Sequence, residues 1–374
     1  MARRGDSTIP LNNACPCVVL PDELPDWAPA HVERLYRSLY ATTDYAETFD
    51  GVRPTGTLIV GQREHVALYT VRDREAWILT RISSFPPEVV AGFCAALFEA
   101  HRHLHTVRVE VLFDPSELTF YHRILTAGED WALQLPATRD LYEASLGPST
   151  RRHLRQYRHR LHRDLPHLAW TVLPGAEVSA GQLHRIVEFN RRRMRSKGIV
   201  SGFEREPESE EQTLRLINAR GLAGYWCADP DEPLAGIYCV EVGDRETGRE
   251  MWAHLLSHDP ALDYYHLGLL SMAEMIATAI ARGDTSFHMG WTTPEYKSRL
   301  GARRQPTYTL AVYRDFACYV ADARTAASLA LERVRHSAWW WRFRHLPALT
   351  HAKLQALLHR GLEPDGGRSR RVPS

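Results

Sequence analysis

No stretch of these 374 residues approaches the ~18 consecutive apolar residues that a membrane-crossing helix needs, so no spanning segment is expected. Net charge is nearly absent as well. The 46 Lys and Arg stand against 45 Asp and Glu, for +1 overall, and no global field argues for a nucleic-acid partner. Cysteine is scarce: Cys15, Cys17, Cys94, Cys227, Cys239 and Cys318 are scattered, which argues against a disulfide framework and for a reducing, cytoplasmic setting. Cys15-Pro16-Cys17 lacks the C-x-x-C spacing of a zinc site, so no metal is expected. The opening M-A-R-R-G-D-S-T-I-P has two arginines but no apolar core, so a secretory signal is not expected. Also missing are a helix-turn-helix, an RNA-binding motif, a close internal repeat, and any Ser-His-Asp or Cys-His spacing that would point to a covalent intermediate.

What is present is the composition of a soluble globular protein, 44% hydrophobic and 24% charged, at a length that admits two or three domains. Residues 1–24, punctuated by Pro10, Pro16 and Pro21, read as a poorly ordered lead. Val32, Leu35, Tyr36 and Leu39 recur at helical spacing. Three short strands follow at Thr57–Val60, Val66–Val71 and Ala76–Ile82, with a hairpin tip at Arg72-Asp73-Arg74-Glu75. An amphipathic helix over Pro87–Leu104 and strands at Val107–Phe113 and Trp131–Leu135 complete residues 25–147 as one α/β domain. Gly147-Pro148-Ser149-Thr150 marks a boundary, with Ser149 placed to cap the next helix.

Residues 148–325 repeat the order: a strand at Trp170–Leu173, helices over Ala180–Arg195 and Ser209–Ala219, then strands at Gly224–Ala228, Leu234–Val242 and Glu250–Ser257. A helix over Leu267–Ala281 and a last strand at Thr307–Tyr313 end this domain. Residues 326–374 read as a helical, Trp-rich tail whose last residues are disordered. There Trp339, Trp340 and Trp341 beside Arg342 and Arg344 fit either packing on the protein's own surface or peripheral contact with a lipid headgroup layer.

Two stretches carry chemistry. The helix from Ser149 sets Leu154, Tyr157 and Leu161 on one face and surrounds them with arginines, among them Arg151, Arg152 and Arg155. That is either a solvated face or a bank for phosphate oxygens, which arginine forks match in pairs. The stretch Asp284 to Gly301 reads as strand, turn and helix, with Gly290 ending the strand, Thr293 and Pro294 starting the helix, and Tyr296 and Lys297 in its first turn. A strand's carboxyl end is where α/β folds place ligands, although a packing Tyr and a solvated Lys fit the spacing equally.

Leu146 to Leu161, L-G-P-S-T-R-R-H-L-R-Q-Y-R-H-R-L, together with Gly236–Val242, Met251–Ser257, H-L-G-L-L at 266–270, and Gly290 with Tyr296-Lys297, resembles the FemABX-like and CelD-type branch of the GNAT acyltransferases. The resemblance spans roughly residues 25–320. It implies tandem GNAT-like domains, each a mixed, mostly antiparallel sheet flanked by helices, with the transfer site in the second. It implies an N-acyltransferase acting on a small-molecule amine in cell-surface polysaccharide, lipid or secondary-metabolite biosynthesis. The co-substrate is acyl-CoA or, as in FemABX relatives, aminoacyl-tRNA, so tRNA is a second candidate partner; no tightly bound cofactor is implied.

In GNAT enzymes the donor pyrophosphate rests on N–H groups at a helix start, here His266, Leu267, Gly268, Leu269 and Leu270. Of the usual Q/R-x-x-G-x-G/A pattern this chain keeps Gly268. By the same resemblance Tyr296 protonates the leaving group and Lys297 contacts the acceptor or the developing charge. His254 is a candidate base, as an imidazole that titrates near working pH, with a core-lining histidine the alternative. Glu295 is a weaker base candidate. Glu241, the other weak base, and Trp252 join the three arginines as substrate-binding candidates. Lacking the long coiled-coil arm of many tRNA-dependent ligases, the chain is read first as CoA-dependent. A non-catalytic nucleic-acid-binding protein is the third reading.

Overall fold

The computed structural model describes residues 16–244, 246–290 and 295–322, and residue 327. One sheet of 12 strands organises them. In chain order these are β1 Cys17–Leu20, β2 Gly56–Val60, β3 His65–Arg72, β4 Glu75–Ile78, β5 Thr106–Val111, β6 His122–Gln134, β7 Ala169–Pro174, β8 Gly221–Cys227, β9 Ala235–Asp244, β10 Gly248–His258, β11 Ser286–His288 and β12 Arg303–Tyr313. Across the sheet they run β1-β2-β3-β4-β5-β12-β6-β11-β10-β9-β8-β7. Only β4 with β5 and β10 with β11 are parallel. Read from either edge, an antiparallel run of four strands meets one parallel neighbour and then the β6–β12 ribbon. The sheet therefore holds two copies of one arrangement, joined through two strands that both copies use.

The ribbon explains the strands whose lengths the sequence understates. Residues 122–132 of β6 pair with 303–312 of β12, while β5 takes Tyr308–Tyr313 of β12 and β11 takes Ala132–Gln134 of β6. Pro306 is tolerated because its stretch of β12 has β6 on one side and no strand on the other. Thr126-Ala127-Gly128-Glu129-Asp130 has the composition of a turn, yet it is strand because this long partner holds it. Cys17–Leu20, expected within a poorly ordered lead, is an edge strand on β2 with Val18 and Val19 in the ladder.

Helices cover both faces. In the first copy α1 (Trp27–Tyr36) buries Ala28 and Val32 against Val66 and Leu68. On the other face α2 (Pro87–Ala100) buries Val90, Phe93, Cys94 and Leu97, the stripe read from the sequence. Past the short α3 (Arg139–Ser145), α4 (Pro148–Asp164) anchors itself by Leu154 and Leu161. Gly147, not Ser149, is its N-cap, because Pro148 takes the first helical position where no N–H is needed. On the opposite face lie α5 (Ala180–Ser196) and α6 (Ser209–Arg220). Then α7 (Leu267–Arg282) crosses from β10 to β11 on the face of α4, and α8 (Glu295–Arg299) precedes β12. Thr293, Pro294 and the Trp339–Trp341 cluster lie outside the described residues.

Candidate active site

The two parallel pairs end differently, and that difference locates the site. In the second copy β10 and β11 pair only from Glu250 with Ser286 to Trp252 with His288. Beyond this the chain of β11 stays with β6, Met289 N–H donating to the Trp131 carbonyl at 2.7 Å. Among the described residues, one edge of β10 from Ala253 onward has no strand partner, and there β10 bulges at His254. The turn Pro260–Tyr265 then delivers α7 at the same end of the strand. A free strand edge and a helix N-terminus thus lie at one end of β10, a place suited to anions and developing oxyanions. In the first copy β4 and β5 pair over Glu75–Trp77 and Thr106–Arg108. The end of that pair is filled from within: Arg81 bonds to Asp50 at 2.7 Å and to Glu110 at 3.3 Å, beside Tyr40 and Tyr45.

Lys297 sits where β10 and β11 part. It is 1% exposed, and its ammonium donates to the Gly290 carbonyl at 2.7 Å. Gly290, at φ +69°, lies close to the Ala253 carbonyl, which places both at the start of the free edge. Burial pulls the Lys297 pKa down to about 8, against the opposing charges of Asp130 and Glu129. Tyr296 leaves α8 in a different direction from Lys297, as neighbouring helical residues must. It packs on the core beneath α7, and burial raises its pKa, so it is a protonated donor at neutral pH.

Beside Lys297 is a polar group that the sequence did not suggest. His288 Nδ1 is 2.6 Å from Asp130 Oδ2, and Nε2 is 2.9 Å from Glu250 Oε2. Carboxylates only accept, so both ring nitrogens must donate, and the ring is an imidazolium. Its face stacks on Trp252 at 3.6 Å. Burial opposes the charge, but the bonds to Asp130 and Glu250 outweigh it and raise the pKa. Trp252 is thereby a wall for His288; its Nε1 donates to the Arg37 carbonyl at 3.0 Å and its ring meets Tyr40 at 5.5 Å. Tyr40 belongs with Tyr45 and Phe49 to a run of short helical turns from the first copy. That run is seated on the second by Arg220, which bonds Glu33 at 3.0 Å and Asp44 at 2.8 Å.

His254 is at the bulge, its ring 5.3 Å from Phe49 and its Nε2 3.3 Å from Thr213 Oγ1. The sequence suggests a pKa near working pH for His254, but burial lowers it to about 4; the apolar wall accounts for the difference. Glu241 is bound to Arg282 at 2.5 Å and to Arg249 at 3.2 Å, below the cleft where β10 is still paired. Glu295 is exposed and pairs with Arg299. Neither joins the group around Lys297.

The predicted phosphate cradle is the start of α7. His266 adopts φ +54° as its N-cap, and Leu269 and Leu270 N–H both donate to the His266 carbonyl. The N–H groups of Leu267 and Gly268 precede any acceptor within the helix. Leu267 and Leu270 are buried core, so their side chains fix the helix while its backbone faces outward. A Cβ on Gly268 would stand 3.3 Å from His258 Nδ1. From the side, α4 lays Tyr157 on His266 at 4.1 Å and bonds Arg160 to the Tyr264 carbonyl at 2.8 Å.

Farther along α4, Arg158 is held by Glu274 and Glu143, whereas Arg152 and Arg155 have no acceptor among the described residues. Arg155 and Arg151 line an open pocket of about 320 Å³ with Pro148, Ala144 and Glu143. Arg151→Glu with Arg155→Glu is expected to weaken binding of a phosphate-bearing ligand at least tenfold and to flatten its salt dependence. Equal binding by a folded variant, measured by titration at two salt concentrations, would make this a solvated face.

Residues 148–298 match the family model of the acetyltransferase (GNAT) domain. No curated protein matches the sequence. Among solved structures, FemX superposes with a TM-score of 0.56 at 10% identity, over 78% of this chain and 96% of FemX. A conserved protein of unknown function from Bacteroides thetaiotaomicron VPI-5482 gives 0.50 at 10% identity, over 80% of this chain and 100% of its own. At such identities the likeness is one of fold.

Proposed function

We propose, residues 148–298 being a GNAT-type acetyltransferase domain and the chain an acyltransferase, that it moves an acyl group from acyl-CoA to the amine of a small molecule in the cleft between β10 and β11. The observation that carries this reading is the open end of that parallel pair, with a buried lysine, a free strand edge and an uncapped helix start around it. The donor phosphates lie on the Leu267 and Gly268 N–H groups. Direct attack by a neutral amine on the thioester follows, with no covalent enzyme intermediate. Lys297 is an electrostatic clamp on the negative charge that develops; Tyr296 gives a proton to the leaving thiolate, and the attacking nitrogen gives its own to solvent water, from which Tyr296 regains one. The acceptor enters along Tyr40, Tyr45 and Phe49.

Gly268→Val tests the donor assignment. The added side chain meets His258 and crowds the phosphate, so KM for an acyl-CoA is expected to rise more than tenfold with the melting temperature little changed. Unchanged KM in a folded variant places the donor elsewhere. One observation favours a second donor, aminoacyl-tRNA: Arg152 and Arg155 have no acceptor among the described residues and stand on a 17-residue basic helix beside α7, where a nucleic-acid backbone would find partners. Melting temperatures with CoA thioesters and with aminoacyl-tRNA separate the two, since a ligand of the folded state raises the midpoint by mass action.

A further inference from the structure

His258 closes β10 and is 8% exposed. Its Nε2 is 2.6 Å from Asp263 Oδ1, and because a carboxylate only accepts, this bond places a proton on Nε2. That leaves Nδ1 of a neutral ring as a bare lone pair. Nδ1 is buried and has no partner among the described residues. It faces the first turn of α7, 3.3 Å from where a Gly268 Cβ would stand. A buried nitrogen without a partner is costly unless a ligand meets it. An anion on the Leu267 and Gly268 N–H groups would be repelled by the lone pair and bound by a proton on the same atom.

The groups gathered at the head of α7 suit an anion. Asp263 holds one side of the His258 ring, and His266 interacts with Arg160 and His153 of α4 as well as with His258 and Asp263. Asp263 also feels Lys197 beyond the end of α5. An anion on the Leu267 and Gly268 N–H groups would have Arg160 and these imidazoles as its neighbours.

We propose that His258 is a phosphate-binding residue: Nδ1 donates to a phosphate oxygen of acyl-CoA at the start of α7, and the imidazole takes a proton from solvent as the donor binds, Nε2–H staying on Asp263. The inference rests on the CoA reading above and adds to it a side-chain donor and a proton. The proton comes from bulk water, ends on Nδ1 and is released when CoA leaves. A donor whose binding carries a proton in is bound less tightly as protons become scarce, so donor affinity falls with rising pH.

The test is calorimetric titration of the full chain with CoA at pH 6 and pH 8, each in two buffers of different protonation enthalpy, with pantetheine, which lacks the phosphates, as the control. The wild type is expected to take up protons with CoA but not with pantetheine, and its Kd is expected to rise about tenfold between the two pH values. His258→Asn keeps a neutral amide near Nδ1, so it should bind CoA with little pH dependence and without that uptake. Asp263→Asn, at an exposed carboxylate, is a second variant that should reduce the uptake and leave the fold intact. Wild-type CoA binding without proton uptake overturns the assignment alone. So does a folded His258→Asn that keeps the wild-type pH dependence, which would move the proton to His266 or His153. No binding of CoA at either pH overturns the assignment and the donor reading together.

Discussion

Lys297→Met lowers turnover per folded molecule by roughly 10²-fold or more, the scale on which one electrostatic partner of a transition state acts. The expectation follows from position. The ammonium lies at the parting of β10 and β11, is 1% exposed, and is held by the Gly290 carbonyl. In so dry a place a charge acts at low dielectric and cannot be replaced by water. The pH profile gives the sign. Burial brings the pKa down to about 8, so the clamp is charged below that value and neutral above it. Activity should rise with pH while the acceptor amine loses its proton, then fall as Lys297 does so near pH 8. Lys297→Arg, whose guanidinium does not titrate, is expected to retain part of the activity and to lose the alkaline fall. If Lys297 only packs, Met and Arg variants will lose stability and keep the wild-type rate constant once it is divided by folded fraction.

Asp130→Asn is expected to destabilise the fold by about 3 kcal/mol, the low end of the cost of removing one partner from a buried ion pair, because Glu250 still pairs with the His288 imidazolium. Asp130 is 0% exposed, and the remaining partner is the His288 imidazolium between two strands that flank β11. The pH dependence again has a definite direction. The His288 pKa is raised above its ordinary 6.5 in the folded protein. Its contribution to stability is therefore complete below about pH 6.5 and is lost as pH climbs through the folded value. Urea midpoints of wild type and His288→Gln should differ most at pH 6 and converge toward pH 9. A gap that widens with pH would mean that His288 is neutral in the folded protein, against the double carboxylate contact.

Much of the frame was legible because it is local. The stripe of Val90, Phe93, Cys94 and Leu97, the β9–β10 hairpin and the start of α7 each follow from a periodicity or a turn within twenty residues. The candidate site was legible only where a short motif points to it, at Gly268, Tyr296 and Lys297. Asp130 and His288 are 158 residues apart, and no spacing rule joins them. His288 stood within the stretch Asp284–Gly301, but its partners lie on β6 and β10, strands brought beside β11 by pairing. Asp130 was hidden in a Gly-Glu-Asp run that reads as a turn until β12 lies along it. The segment from Leu39 to Asp50 passes through three helical types, so it has no single period to detect. The pKa of His254 lies below what its place in the sequence suggests, because its apolar neighbour Phe49 comes from the other half of the sheet.

The most direct measurement is release of free thiol from short acyl-CoA thioesters by the purified wild-type chain, with and without a panel of small primary amines, beside Lys297→Met at equal folded concentration. Amine-dependent thiol release by the wild type, reduced roughly 10²-fold in the variant, is the expected result. An acyltransferase that uses another donor would contradict this proposal by releasing no thiol from any thioester, with CoA leaving the melting temperature unmoved.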